Sequence, residues 1–269
     1  MTVPVRDPLA ECRAALRRGD AATAGRLLEQ LEGQVESEAG DLLELRAQAA
    51  YLELDFPATA ELWERAYRAY RTVDEPVGAV RAARMLCFVH RMVLGNPAVA
   101  GGWLSRAQSL LHGAAGTLEA GWVALNRGMF DGDRARKDAC FGEALEVARR
   151  VGDRNLEFAA LAYLGASLVH GDRTEEGMVL LDEALVAIVG GEVDDFFVLE
   201  EIFCQLFSAC EHACDLRRAE EWSRIGEAVA ERRRLPAISA YCRTHYGGVL
   251  TAAGRWTEAE ESLTAAVRL

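Results

Sequence analysis

Several features that would each indicate a class of protein are missing from this sequence. No run approaches the roughly 18 uninterrupted apolar residues that a membrane-spanning helix needs, so none is predicted. The seven cysteines form no disulfide-like framework and the first residues do not resemble a signal peptide, so we expect reduced thiols and a cytoplasmic protein. A net positive charge is also missing, since 42 acidic residues against 30 basic ones give a net charge of −12 at pH 7, and this argues against direct contact with nucleic acid.

Motifs for catalysis and cofactor binding are also missing. The sequence has no Gly-x-x-x-x-Gly-Lys-Ser/Thr phosphate loop, no Gly-x-Ser-x-Gly nucleophile elbow and no Cys-x-x-Cys pair. Cys210 and Cys214 are four residues apart, and a metal site completed by Cys242 or His245 is one interpretation of them. Cysteine also packs as a small apolar residue at close helix crossings, and we favour this second interpretation. We predict no metal, no cofactor and no enzymatic activity.

What the sequence does contain is a motif that returns seven times. A turn is followed by a small residue, then a large apolar residue, then another small residue, as in Gly95-Ala100-Leu104-Ala107. The first small positions of the seven copies are residues 24, 59, 100, 137, 177, 219 and 259. Self-similarity at a period near 40 residues indicates an array of helical repeats, in which each unit packs on its neighbours.

This period predicts the architecture. We expect an all-α, right-handed α-solenoid (a superhelix) of about seven tetratricopeptide-like helix pairs, forming a single domain over residues 1–269. In the fifth pair the helices are predicted over residues 157–169 and 175–188. The predicted repeats cover residues 7–37, 41–73, 77–113, 117–151, 155–189, 195–234 and 237–269.

The last predicted helix, residues 256–269, has apolar residues where a further helix would normally pack. Leu263, Ala266, Val267 and Leu269 all lie on such faces. A solenoid needs a polar terminal repeat to stay soluble. We therefore expect either that the chain is part of a longer protein or that this helix packs on another subunit in a homodimer.

Several stretches carry a resemblance to known proteins. Leu161-Ala162-Tyr163-Leu164-Gly165 and the small-large-small motif resemble tetratricopeptide repeats. Residues 143–153 (EALEVARRVGD), 207–222 and 241–260 resemble the amino-terminal repeat region of actinobacterial LuxR-type transcriptional regulators, which are organised like the MalT group. In that family a helix-turn-helix DNA-binding domain follows the repeats, and this sequence contains no such segment. The resemblance implies a domain for sensing, partner binding or self-association.

The candidate binding residues come from the repeat pattern. Superhelices of this type present the first helix of each pair on a concave face, where residues outside the core can contact a ligand. Arg84 and Arg91 are candidates for clamping a carboxylate, because guanidinium groups match it bidentately. The full set of candidates is Arg84, Phe88, Arg91, Glu201, Cys204, Glu211, Tyr241 and Thr244. For each of these residues, a solvated polar face is the alternative interpretation.

These observations predict a non-catalytic domain of a LuxR-type transcriptional regulator. Its partner would be a protein, a peptide or a small effector molecule bound on the concave face, where binding shifts an equilibrium between two states. A free-standing scaffold that assembles other proteins is the alternative. The sequence does not identify the ligand.

Overall fold

The computed structural model describes residues 7–31, 39–111, 116–233 and 236–268. In these ranges the chain forms fourteen α helices and no β strand. In chain order they are α1 (Pro8–Arg17), α2 (Ala21–Leu31), α3 (Gly40–Leu52), α4 (Phe56–Thr72), α5 (Pro76–Phe88), α6 (Pro97–Leu110), α7 (Leu118–Phe130), α8 (Arg134–Val151), α9 (Arg154–Val169), α10 (Thr174–Gly190), α11 (Phe196–Ala213), α12 (Leu216–Arg233), α13 (Pro236–Ala252) and α14 (Trp256–Val267). The predicted all-α fold of about seven helix pairs is confirmed. Odd-numbered helices are called first helices below, and even-numbered ones second helices.

Contacts between Cα atoms divide the chain into two compact units. Unit 1 comprises Met1–Arg127 and unit 2 comprises Gly128–Leu269, so the division falls near the end of α7. Each unit is described separately below. The organisation of the whole chain as a single domain stays a prediction. Among the described helices, none is long and apolar enough to cross a bilayer.

Aspartate side chains begin many of the helices. An N-cap carboxylate accepts a backbone N–H that has no partner within the helix, which contributes about 1 kcal/mol. Residues in this role are Asp7, Asp55, Asp133, Asp153 and Asp195. The bond from the Leu156 amide to Asp153 is 2.7 Å long, and it starts α9 at Arg154. The predicted start at residue 157 was three residues late, because Asp153 is a cap rather than part of a longer turn.

The turn inside most helix pairs has a residue in the left-handed conformation. Six of the seven pairs have one, with φ between 53° and 77°. These residues are Gly19, Leu54, Gly95, Asp172, Cys214 and Gly254. Glycine adopts this conformation without strain, whereas a residue with a Cβ atom pays about 1–2 kcal/mol. Leu54, Asp172 and Cys214 adopt it nevertheless, so the turn geometry is kept even where the sequence does not favour it.

The small positions of the repeated motif are buried between paired helices. Ala24, Ala100 and Ala219 have no exposed surface, and Ala259 is 3% exposed. In the fifth pair two glycines face each other across the helix crossing, since a Cβ atom on Gly165 would lie 2.8 Å from the carbonyl oxygen of Gly177. The fourth copy differs, since its first small position is Lys137 and that side chain is half-buried.

The last helix exposes apolar side chains. In α14, Trp256 is 68% exposed, Leu263 is 37% exposed and Val267 is 88% exposed. Leu269, which was predicted to belong to the same apolar surface, lies outside the described residues. Association of this helix with another subunit stays a prediction.

Candidate functional site

Three of the predicted binding residues lie together at the end of one first helix in unit 1. Arg84 and Phe88 belong to α5, and Arg91 lies in a π-helical turn, Val89–Val93, that continues α5. Arg84 and Phe88 are half-buried, whereas Arg91 is exposed. The pattern therefore selected one short region of the chain, but its side chains differ in their access to solvent.

Arg84 is held against α7 by a carboxylate and an indole ring. Its guanidinium lies 4.7 Å from the centre of the Trp122 ring, and its Nε atom lies 3.9 Å from Oε2 of Glu119. Both atoms are buried, yet neither has a hydrogen-bond partner. A distance of 3.9 Å permits ionic attraction but is too long for a hydrogen bond. Each residue of this pair therefore has one buried polar atom without a hydrogen-bond partner, whereas buried polar groups normally have one.

Glu119 belongs to a charge network that joins three first helices. Arg81 of α5 donates from Nε to both carboxylate oxygens of Glu44 on α3, at 3.0 and 2.8 Å. Its Nη1 atom lies 3.5 Å from Oε1 of Glu119 on α7. The Tyr70 hydroxyl donates to Glu44 over 2.9 Å. Burial raises the pKa of Glu119 above its ordinary value, although Arg84 and Arg81 act in the opposite direction.

The π-helical turn that follows α5 contains a second group of unsatisfied polar atoms. Its defining bond runs from the Leu94 amide to the Val89 carbonyl over 2.9 Å. Both ring nitrogens of His90 are buried without a hydrogen-bond partner. A π-helical turn has more residues per turn than an α helix. Arg91 therefore lies at a different angle around the helix axis from the one that the α-helical pattern predicted. Such turns occur frequently at functional sites.

The remaining predicted residues lie on two first helices of unit 2. Glu201 and Cys204 on α11 are half-buried, and Glu211 on the same helix is exposed. On α13, Thr244 is exposed, and the side chain of Tyr241 lies outside the described residues. The helices that carry these residues, α11 and α13, pack against each other.

Aromatic rings and histidines connect the first helices of unit 2. Phe207 on α11 stacks on His245 of α13 with ring centres 6.2 Å apart. His170, which follows α9, meets the edge of the His212 ring at 4.7 Å. Burial lowers the pKa of both His170 and His245, and the neighbouring His212 lowers that of His170 further.

Two cysteines of the possible metal site, Cys210 and Cys242, are buried packing residues. Cys210 and Cys242 are fully buried, and burial raises the pKa of each thiol to about 12. Such thiols stay protonated at neutral pH and are poor metal ligands. Cys214 follows the last residue of α11 and lies in one of the left-handed turns, so it does not share a helix face with Cys210. Across the described ranges, no three His, Cys, Asp or Glu side chains are placed to hold a metal ion.

Sequence reasoning did not select the residues that surround Arg84. Glu44, Arg81, Glu119 and Trp122 were all missed, although one signal was present. Glu44 precedes Arg81 by 37 residues and Arg81 precedes Glu119 by 38, which is close to the repeat period. Charged residues of alternating sign at this spacing occupy equivalent positions in successive first helices.

Comparisons with known proteins give the fold but not the family. No protein-family model matches the chain, and no curated protein sequence matches it. The apo form of RapI is similar in structure, with a TM-score of 0.66 and 10% identity over 97% of this chain and 95% of RapI. NprR in complex with its cognate peptide NprX has a TM-score of 0.59 and 13% identity, over 100% of this chain and 80% of NprR. At these identities the likeness is one of fold, and it confirms helical repeats of the tetratricopeptide type.

Unsatisfied polar atoms and an aromatic ring lie together at Arg84. A buried donor and a buried acceptor lie side by side, and an aromatic face lies next to them. Their hydrogen-bonding chemistry is complementary to a group with both a carbonyl and an N–H. A carboxylate can bind the guanidinium in place of Glu119.

Proposed function

We propose that this chain is a non-catalytic binding module for peptides or short protein segments, and that its principal contact lies at Arg84. The observation that carries this proposal is the half-satisfied pair of Arg84 and Glu119. A buried polar atom without a partner costs about 1–3 kcal/mol. A ligand that supplies the missing hydrogen bonds recovers part of that free energy, which gives it affinity.

Peptides fit this pair better than ligands of one charge. The peptide group has an acceptor for the Arg84 Nε–H and a donor for Glu119 Oε2, and an apolar side chain can lie on Trp122. Arg91 is exposed in the π-helical turn that follows α5, and its positive charge favours a peptide with an acidic residue. The fold-level similarity to NprR supports the proposal, since that protein was solved with its cognate peptide.

We also propose the wider role that the resemblance to LuxR-type regulators implies. In this role the module is the sensing part of a cytoplasmic transcriptional regulator, and the predicted concave-face residues of unit 2 form a surface of their own for a partner. The supporting observations are residues 143–153, 207–222 and 241–260, which resemble that family. The coding sequence downstream of codon 269 tests this role. A continuing frame with a helix-turn-helix segment supports the regulator, and a stop codon there supports the free-standing scaffold.

A peptide-binding measurement tests the Arg84 site itself. The full chain is labelled and applied to an array of short random-sequence peptides, and the strongest binders are measured by calorimetry. The test variant is Arg84→Met, which keeps the aliphatic stem and removes the guanidinium. We expect at least about a tenfold loss of affinity, equal to about 1.4 kcal/mol. Circular dichroism checks that the variant remains folded.

The matched control is Arg68→Met. Arg68 is an exposed arginine of α4 whose ion pair with Glu64 is made within the same helix. This variant should bind the selected peptides like the original chain. Equal affinity of the Arg84→Met variant and the original chain would show that the peptides bind elsewhere, and an array without any binder would contradict peptide recognition by this chain.

A further inference from the structure

A cavity of about 510 Å³ opens between α12, α13 and α14 in unit 2. Pockets that hold small molecules have volumes of about 300–1,000 Å³ and commonly lie between packed helices. None of the residues proposed above to contact a peptide lines this cavity. Its wall contains four carboxylates, which belong to Glu220, Glu227, Glu258 and Glu261. It also contains three guanidinium groups, which belong to Arg224, Arg243 and Arg255.

Most of these charges are already paired with one another. Nη2 of Arg243 lies 2.7 Å from a carboxylate oxygen of Glu227. Nη1 of Arg255 lies 2.6 Å from Glu220, and the same guanidinium also pairs with Glu258. Three of the four carboxylates and two of the three guanidinium groups are therefore engaged.

One group of each sign is left over. Arg224 on α12 and Glu261 on α14 line the cavity, and within the described ranges neither makes a hydrogen bond or an ion pair. Arg224 lies between the paired residues Glu220 and Glu227 on its helix. Glu261 lies one turn after Glu258 on α14. The unpaired charges thus lie on two different walls of one cavity, between its paired residues.

We propose that this cavity binds a free α-amino acid. Arg224 would bind the ligand's carboxylate, for which a guanidinium fork is well shaped, and Glu261 would bind its ammonium group. A zwitterion offers an opposite charge to each of these two exposed groups, whereas a simple anion or cation offers one to a single group. Leu250 and Tyr246, which also line the cavity, provide an apolar wall for the amino-acid side chain.

Calorimetric titration of the full chain with each of the twenty common L-amino acids tests this assignment. We expect saturable binding of at least one of them. The N-acetyl derivative of that amino acid lacks the ammonium charge and its α-amide lacks the carboxylate, so each should bind at least about tenfold more weakly. These derivatives test the charge requirement on the unmodified protein, without any risk of misfolding.

Substitutions then test which residues recognise the ligand. Arg224→Gln and Glu261→Gln should each weaken binding by about tenfold or more. Arg217→Gln and Glu260→Gln are matched controls, because they remove the same charges from exposed positions of the same two helices outside this cavity. Both control variants should bind the amino acid like the original chain.

Three results would overturn the assignment. They are the absence of binding by any amino acid at about 10 mM, affinity that N-acetylation leaves unchanged, and affinity that both test variants retain. The site is independent of the peptide contact, so Arg84→Met should leave amino-acid binding intact. Failure of one proposal therefore does not entail failure of the other.

Discussion

The two units connect their first helices with different chemistry. In unit 1, buried charges connect α3, α5 and α7 through Glu44, Arg81 and Glu119. In unit 2, aromatic rings do so, as in the stack of Phe207 on His245. The backbone arrangement of helix pairs is the same in kind, so the fold does not dictate how neighbouring first helices are joined. In unit 1, the unsatisfied atoms Arg84 Nε and Glu119 Oε2 lie beside the charged connection, and the binding proposal for Arg84 is based on this pair.

The largest effect is expected from breaking the aromatic connection. Phe207 is 1% exposed, so Phe207→Ala removes a fully packed ring and leaves a cavity. The free energy of unfolding should fall by about 3–5 kcal/mol, as measured by urea denaturation. Val186→Ala is the control, since Val186 is 67% exposed and the change should cost less than about 0.5 kcal/mol. A similar loss in both variants would mean that Phe207 is not a packing centre.

A somewhat smaller effect is expected from breaking the charged connection. Arg81→Ala leaves the buried carboxylates of Glu44 and Glu119 without their shared guanidinium. Breaking a buried ion pair costs about 3–5 kcal/mol. Because the Arg81 side chain is 27% exposed, we expect about 2–3 kcal/mol in the same denaturation experiment. Arg68→Ala, which breaks an exposed pair, should cost about 0.5 kcal/mol or less. Equal losses would show that the network of unit 1 behaves like a surface ion pair.

The smallest effect is a contrast in pH dependence. Burial raises the pKa of Glu119, so ionising it in the folded state is unfavourable, and unit 1 should lose stability as pH rises above about 4.5. Burial lowers the pKa of His245, so the unfolded chain takes up protons first, and unit 2 should lose stability as pH falls below about 6.5. Hydrogen exchange followed by mass spectrometry measures each unit separately.

Matched variants assign the two pH responses. Glu119→Gln should flatten the response of unit 1 alone, and His245→Gln should reduce that of unit 2 alone, where His170 contributes in the same direction. Identical pH responses in the two units would contradict the contrast between their connections.

The repeated motif predicted much of this fold because small residues at helix crossings leave a direct trace in the sequence. Ala100 and Ala259, chosen from the pattern alone, are buried between helices as expected. The helix start at Arg154 was missed because Asp153 is compatible with both a turn and a cap. The π-helical turn at Val89–Val93 has no comparable trace, since it results from a shift of backbone hydrogen bonds that many sequences tolerate.

The candidate site was predicted less completely than the fold. Arg84 was chosen for its position and expected to act as a free carboxylate clamp, but the structure places it against Glu119 and Trp122. A repeat pattern identifies the helix on which a residue lies. It does not identify the side chain on the next helix that the residue contacts, because this depends on rotamers and on local shifts such as the π-helical turn. The positions of Glu201, Cys204, Glu211, Tyr241 and Thr244 in a binding surface stay predictions for the same reason.

The left-handed turns and the exposed side chains of the first helices are different parts of the sequence. In six of the seven pairs the turn keeps one left-handed residue, even where that residue is Leu54 or Cys214. Exposed side chains on the first helices take no part in these turns. Mutations can accumulate on those helices and alter ligand preference while the scaffold stays unchanged. In evolutionary terms, such a chain can change its specificity one repeat at a time.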